Sequence, residues 1–257
     1  MAARASVDYL LHLADTALIL GQRNAEWCGH GPVLEEDIAM ANISLDLIGQ
    51  ARLLYQHAAD VLGDGSTEDR LAYFRDAQQF RNFVIAELPH RTAFAPGVAT
   101  ERNYAVTIAR NFLLSSFSLL QWQALMGSAD AQLAAIADKS QKEVRYHLRH
   151  SIDWLVRMGD GTPESHDRAQ AAIDFLMPYT QEFWTPLETA DPCAADPSGF
   201  RPDWEAQVGA VLDQAALRPT PASGHRTRGK DGQHSEHLSY LLAEMQSLAR
   251  AHPKAVW

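Results

Sequence analysis

The sequence predicts an all-α fold, a bundle of four long helices with additional helices. Three observations predict it: apolar residues recur at three- and four-residue spacing through long segments, no alternating apolar–polar run exceeds a few residues, and capping residues with Gly or Pro mark segment ends. No internal repeat or low-complexity tract interrupts the pattern. A single domain over residues 1–257 is expected, with a core bundle at about 6–158 and C-terminal helices at about 162–251.

The first helix should open at Ser6 as N-cap, carry Leu10, Ala14, Ala17 and Leu18 on one stripe, and stop at Gly21. A loop through Trp27, Gly29, Gly31 and Pro32 leads to a second helix from about Leu34 to Leu62, stopped by Gly63, Asp64 and Gly65. Two short helices should follow, one after Thr67 and one after Asp76, where Asp76 and Gln79 have the spacing of a capping box. Pro89, Pro96 and Gly97 break the chain before a third long helix from about Thr100 to Met126 and a fourth from Asp130 to Met158.

Thr162 and Pro163 read as N-cap and first residue of a fifth helix, which kinks at Pro178 and ends near Pro186. After a proline-rich loop from Asp191 to Pro202, Pro202 or Asp203 opens a helix to about Leu217. A polar, basic segment from Arg218 to Gly232 precedes a last helix from about His234 to Ala251. Phe112, Phe117, Trp122 and Trp154 fall at helical spacing and read as core.

The formal net charge of −10 over 257 residues repels phosphate backbones and argues against general nucleic-acid binding. Cys28 and Cys193 are far apart and in no CxxC pattern, so they read as small apolar fillers in a reducing compartment. No apolar run approaches the ~18 residues of a membrane span, and a soluble, cytoplasmic chain is expected.

Long helices with inward carboxylates invite a di-iron reading, in which two helices each give a Glu and two each give Glu-x-x-His. The only such pair is Glu87 and His90, with Pro89 between them at the end of a short helix, so the pattern is broken. Glu143, His147 and His150 share a face of the fourth helix, His234, His237 and Glu244 lie near one stripe of the last, and Glu26 and His30 sit in a glycine-bounded loop. A basic cluster of His225, Arg226, Arg228 and Lys230, interleaved with Gly224, Gly229 and Gly232, suits phosphate binding ahead of a helix N-terminus. No GxSxG, P-loop or GxGxxG motif occurs, so no catalytic residue is named.

Four separated stretches carry a resemblance over nearly the whole chain: GQRNAEWCGHGP from Gly21, LDLIGQAR from Leu45, KEVRYHLR from Lys142, and GKDGQHSEHL from Gly229 running on through Gln246. In that order they resemble the C-subunit family of bacterial ring 1,2-phenylacetyl-CoA epoxidases. The resemblance implies a ferritin-like bundle that pairs with a catalytic A subunit, together with other subunits and a reductase. The di-iron centre is expected in that A subunit, and no cofactor in this chain. Placing the family's ligand pattern here puts its positions on Ala17, Leu47, Gln50, Asn111, Val144 and His147, of which only His147 keeps a ligand-type side chain.

By the same reading, His147 and Gln50 hydrogen-bond across the old site. Arg226, Arg228, Lys230, His234 and His237 are candidate contacts for CoA phosphates or a partner. The chain departs from the family's usual pattern at Arg228, Ser235 and Ser239. Two rival readings remain open at this point: an independent metal-dependent oxidoreductase using His147, His150, His234 and His237, and a free-standing acyl-CoA binding module.

Overall fold

The computed structural model describes residues 3–92, 102–186, 191–221 and 224–255. Among them the chain is all-α, its only strand-like pairing being an isolated bridge between Arg228 and Gln233. The helices are α1 (Val7–Ala25), α2 (Leu34–Leu62), α3 (Glu68–Tyr73), α4 (Val84–Glu87), α5 (Tyr104–Leu125), α6 (Ala131–Gly159), α7 (Pro163–Leu176), α8 (Arg201–Gln214) and α9 (Glu236–Ala251).

Local chemistry sets most of these ends. The Ser6, Thr67, Asp130 and Thr162 side chains each accept from a backbone N–H of the first turn, and Asp76 with Gln79 forms the expected capping box, there on a single 3-10 turn. Gly63 closes α2 in the left-handed conformation, φ 63°.

Several boundaries differ from the sequence reading, each for a physical reason. Helix α1 runs through Gly21 to Ala25, because Gly21 serves packing: a Cβ there would lie 3.2 Å from that of Leu47 and 3.3 Å from the Ser44 carbonyl oxygen on α2. Helix α5 starts at Tyr104, where Asn103 caps it, and Thr100, Pro96 and Gly97 lie outside the described residues. At Pro178, which has no N–H for an α-helical bond, α7 gives way to a 3-10 segment, Met177–Trp184, in place of a kinked α-helix. Helix α8 ends three residues before Leu217: Ala216 turns left-handed at φ 54°, and the Leu217 amide reaches back to the Leu212 carbonyl at 2.9 Å. Ser235 caps α9, leaving His234 ahead of the helix.

Helices α1 and α2 form one antiparallel hairpin and α5 and α6 another, and contacts between α2 and α6 close the four-helix bundle. The long connection between the hairpins carries α3 and α4, α7 and α8 cover α5 and α6, and α9 lies across α1, α3 and α4. The core follows from the stripes, with Phe112, Phe117 and Trp122 buried as expected and Trp154 half-buried against Tyr104. Both cysteines are free, but Cys28 is exposed and so fills no core space, while Cys193 is buried. No described helix is long and apolar enough to cross a membrane.

One buried charge ties the first hairpin to the connection. Asp15 on α1 is fully buried and its carboxylate accepts from Tyr55 Oη of α2 (2.5 Å), from the Arg75 guanidinium through both terminal nitrogens, and from the Arg81 amide (2.7 Å). Arg75 also donates to the Leu71 and Gln79 carbonyls and lies 4.3 Å from the Phe80 ring centroid. Burial works against its charge, yet Asp15 together with Tyr55 more than reverses this and raises the Arg75 pKa.

Removing one partner of such a pair strands the other in the core, so Asp15→Asn should cost about 3–5 kcal/mol in urea unfolding. Arg168→Ala, which breaks a solvated pair with Glu164, should leave the midpoint unchanged within error. Equal effects would refute the ranking.

Candidate functional site

The positions on which the resemblance lays a di-iron ligand pattern converge in part. Ala17 of α1, Leu47 and Gln50 of α2, and Val144 and His147 of α6 line one small enclosed cavity of about 30 Å³, with His12 and Thr16 of α1 and Phe83 beside them. Asn111 does not join them. It exchanges amide hydrogen bonds with Asn24 (2.9 and 3.2 Å) close to Met40, and the α5 residues that reach the cavity are Ser115, Ser118, Gln121 and Trp122. The α5 residues at the cavity thus begin one turn beyond Asn111, and because α5 is apolar on nearly every face its pattern gives no unique orientation.

The expected bond between His147 and Gln50 is also absent. His147 Nε2 pairs with Asp46 Oδ2 at 3.0 Å, and Gln50 Nε2 donates to Glu143 Oε2 at 2.9 Å. Each of these polar groups thus turns to a partner on the facing helix, and the third link is His150 Nε2 with Glu36 Oε2 at 2.9 Å. Glu143 and His147, four residues apart, have different partners.

This donor set does not fit a metal. Ala17, Leu47 and Val144 have no donor atom, Gln50 is a weak one, and the ring nitrogen of His147 that points outward from its helix already meets Asp46. Carboxylates left here without a cation would cost several kcal/mol each, whereas small and aliphatic side chains pack. Among the described residues, no group of three or more His, Cys, Asp and Glu is placed to hold a metal ion.

The basic segment is rearranged relative to the sequence expectation. Arg226 and Arg228 are exposed, the latter with its Nε on Asp231 at 2.7 Å, but Lys230 is buried. The Lys230 amide donates to Glu182 and its Nζ to the Thr185 carbonyl, and burial lowers its pKa to about 8. Gly229 and Gly232 permit this: a Cβ on Gly229 would sit 2.2 Å from the Asn82 carbonyl oxygen, and Gly232 has φ +79°.

His234 is withdrawn as well, with Nδ1 on Glu87 Oε2 at 2.8 Å and Nε2 on the Phe80 carbonyl at 3.0 Å. Burial alone would lower its pKa, but the Glu87 carboxylate raises it. Glu87 further accepts from Asn82 and from the Ser235 amide, so the carboxylate of the broken Glu-x-x-His pair is a structural anchor for the start of α9. His90 instead bridges Thr107 and the Arg23 carbonyl, and burial keeps it neutral.

His237 is only half-buried and its pKa is lowered, mainly by burial and then by Arg23. The polar atoms of Lys230 and His234 are thus engaged inside the protein. The four histidines of the independent-oxidoreductase reading are also divided, His147 and His150 facing α2 and His234 facing Glu87. Glu26 and His30 part in the same way, Glu26 pairing with Arg23 at 2.5 Å and His30 with the Cys28 carbonyl.

Sequence reasoning missed His12. It lies on the buried stripe of α1, 3% exposed, with Nδ1 on the Arg81 carbonyl at 2.7 Å. A polar residue within an apolar stripe was the available signal.

Two comparisons bear on this geometry. The family model described as "Phenylacetic acid catabolic protein" matches residues 1–257. The C subunit of 1,2-phenylacetyl-CoA epoxidase from Escherichia coli (strain K12) is 43% identical over 254 residues, covering 97% of this chain and 98% of its own length.

Burial, and then the charge of Lys230, pushes His12 down to about 3 from 6.5. Below about pH 6.5 the unfolded chain takes up a proton that the folded chain refuses. The stability from neutral His12 is thus complete above that value and is lost as the pH falls towards 3, at up to about 1.4 kcal/mol per pH unit. Urea unfolding at pH 7 and pH 5 should show a smaller acid loss for His12→Gln than for the parent, and an identical loss would contradict the assignment.

Proposed function

The chain belongs to the phenylacetic acid catabolic protein family, and from that premise we propose that it is a non-catalytic structural subunit of a multicomponent ring 1,2-phenylacetyl-CoA epoxidase. In this reading it acts in the cytoplasm and supports a related A subunit that holds the di-iron centre, with reductase-delivered electrons consumed there. The observation that carries the reading is the donor set of the inter-helix cavity, where Ala17, Leu47 and Val144 stand among the positions that a di-iron relative would fill with ligands. The relative's name, a lettered subunit of an epoxidase, supports a heteromeric assembly.

The outer face of α2 supports it too. Leu34, Ile38 and Leu45 recur at four- and seven-residue spacing on the side away from the core and are 72%, 53% and 66% exposed. Gly49 continues the stripe with open space where a Cβ would be, and Tyr146 stands exposed on the adjoining α6. Large apolar side chains aligned on one helix face mark an interaction surface more than a solvated one. We place the interface with the A subunit there. Of the candidate CoA contacts, Arg226 and Arg228 remain as exposed cations.

Purified alone, the chain should contain no iron and show no ring epoxidation. Co-expressed with an A subunit, the pair should contain iron and turn over phenylacetyl-CoA. Stoichiometric iron in the lone chain, measured by elemental analysis, would overturn the structural reading.

For the interface, Ile38→Glu with Leu45→Glu should weaken co-purification at least about tenfold, because each charge must be desolvated against the partner. Thermal unfolding of the lone chain should be unaffected, since both side chains face solvent. Unchanged pull-down would move the interface elsewhere.

A further inference from the structure

The apolar outer face of α2 continues onto α6 through a chain of contacts. Leu45 is followed by Asp46, whose carboxylate holds His147 of α6 at 3.0 Å. The rings of His147 and His150 each lie 6.5 Å from that of Tyr146, which is 45% exposed, and the Arg149 guanidinium stands 5.6 Å from the Tyr146 ring centroid. We propose that Arg145 and Arg149 bind carboxylates of the partner that covers α2, so that this partner presents an apolar centre with an acidic border on the α6 side. The proposal rests on the subunit reading, and it adds the charge of the partner and the step of association which that charge controls.

The acids along the seam between α2 and α6 are already engaged within the chain. Asp46 meets His147, Glu36 meets His150 and Tyr104, and Glu143 meets Gln50 and Lys139. The arginines beyond them are exposed on successive turns of α6 and have no such partner. Arg145 donates to the Gln141 amide oxygen at 2.8 Å, Arg149 lies against Tyr146, and neither pairs with a carboxylate among the described residues. Asp153 is exposed four residues after Arg149, yet the guanidinium turns to the ring instead. Lys142, on the same face, is closed by Asp138 at 2.8 Å.

The residue types suit a contact at the border of an interface. A guanidinium can rest on an aromatic ring and still offer its planar fork of donors to a carboxylate in two parallel hydrogen bonds. Tyr and Arg concentrate at protein interfaces, whereas Lys does not. With Tyr146 holding Arg149 in place beforehand, less side-chain freedom is lost when the partner arrives.

Charge then selects both partner and approach. The chain as a whole carries a formal charge of −10, so an acidic surface is repelled by most of it and attracted where unpaired arginines stand. Attraction confined to one face orients the encounter, and the neighbouring apolar stripe supplies the burial that slows departure. The two parts therefore separate kinetically, the arginines acting on association and Ile38 with Leu45 on dissociation.

The test is stopped-flow association of the full-length chain with the A subunit. Raising NaCl from about 0.1 M to about 1 M shortens the screening length from ~10 Å to ~3 Å, and should slow association of the parent at least about tenfold. Arg145→Glu with Arg149→Glu should slow it by a similar factor at the lower salt, flatten the salt dependence, and change dissociation less than about threefold. Arg168→Glu with Arg201→Glu makes the same change of net charge on α7 and α8, and should slow association less than about threefold. Arg145→Lys with Arg149→Lys keeps the charge and should stay within about threefold of the parent rate. All these side chains are exposed, so circular dichroism should remain that of the parent.

Parent-like association by the folded Arg145→Glu, Arg149→Glu variant, or a loss no larger than that of the control pair, would overturn the proposal. If Ile38→Glu with Leu45→Glu still weakens the complex in that case, the subunit reading stands without it. An A subunit that fails to bind the parent chain overturns both. Dimerisation of the lone chain that the same glutamate pair abolishes would give the face to a second copy, and would overturn the proposal too.

Discussion

The fold depends on a carboxylate that cannot be hydrated. Asp15 sits inside the first helical hairpin with no exposure to water, and it is tolerable only because a tyrosine, an arginine and a backbone amide surround it. Those donors come from α2 and from the start of the long connection, so satisfying one charge fixes how the connection leaves the hairpin. The connection then brings Phe80, Phe83 and Glu87 to the bundle, and with them the surfaces on which α9 and the Met177–Trp184 segment rest. The same rule governs Glu182, whose pKa rises through burial although two backbone amides and Thr227 hold it.

The inter-helix cavity shows the opposite solution to the same problem. Ala17, Leu47 and Val144 line it without charge, and its polar groups Gln50 and His147 reach Glu143 and Asp46. Buried carboxylates elsewhere in the chain show that its interior accepts acids when donors are supplied. The aliphatic lining of this cavity is therefore not forced by an intolerance of charge.

Much of this was legible in the sequence because it is local. Ser6, Thr67, Asp130 and Thr162 announced helix starts, Gly63 a helix stop, and the three-four spacing the buried faces. What could not be read was tertiary pairing. Lys230 and His234 look like surface cations in a glycine-rich loop, and only the positions of Glu182 and Glu87 in space turn them inward. The register of α5 was illegible for a related reason, since a helix apolar all round gives no phase from which to choose Ser115 over Asn111. Gly21 was misread because a glycine that ends a helix and one that admits a neighbouring helix look alike until the neighbour is placed.

The anchor between Glu87 and His234 spans 147 residues, and it sets a timetable for biosynthesis. At ~5–20 residues per second, a ribosome needs about 7 to 30 s to deliver His234 after Glu87 has been made. Throughout that interval Glu87 has been made and its histidine partner has not. The contact that seats the start of α9 can therefore form only after synthesis has passed residue 234.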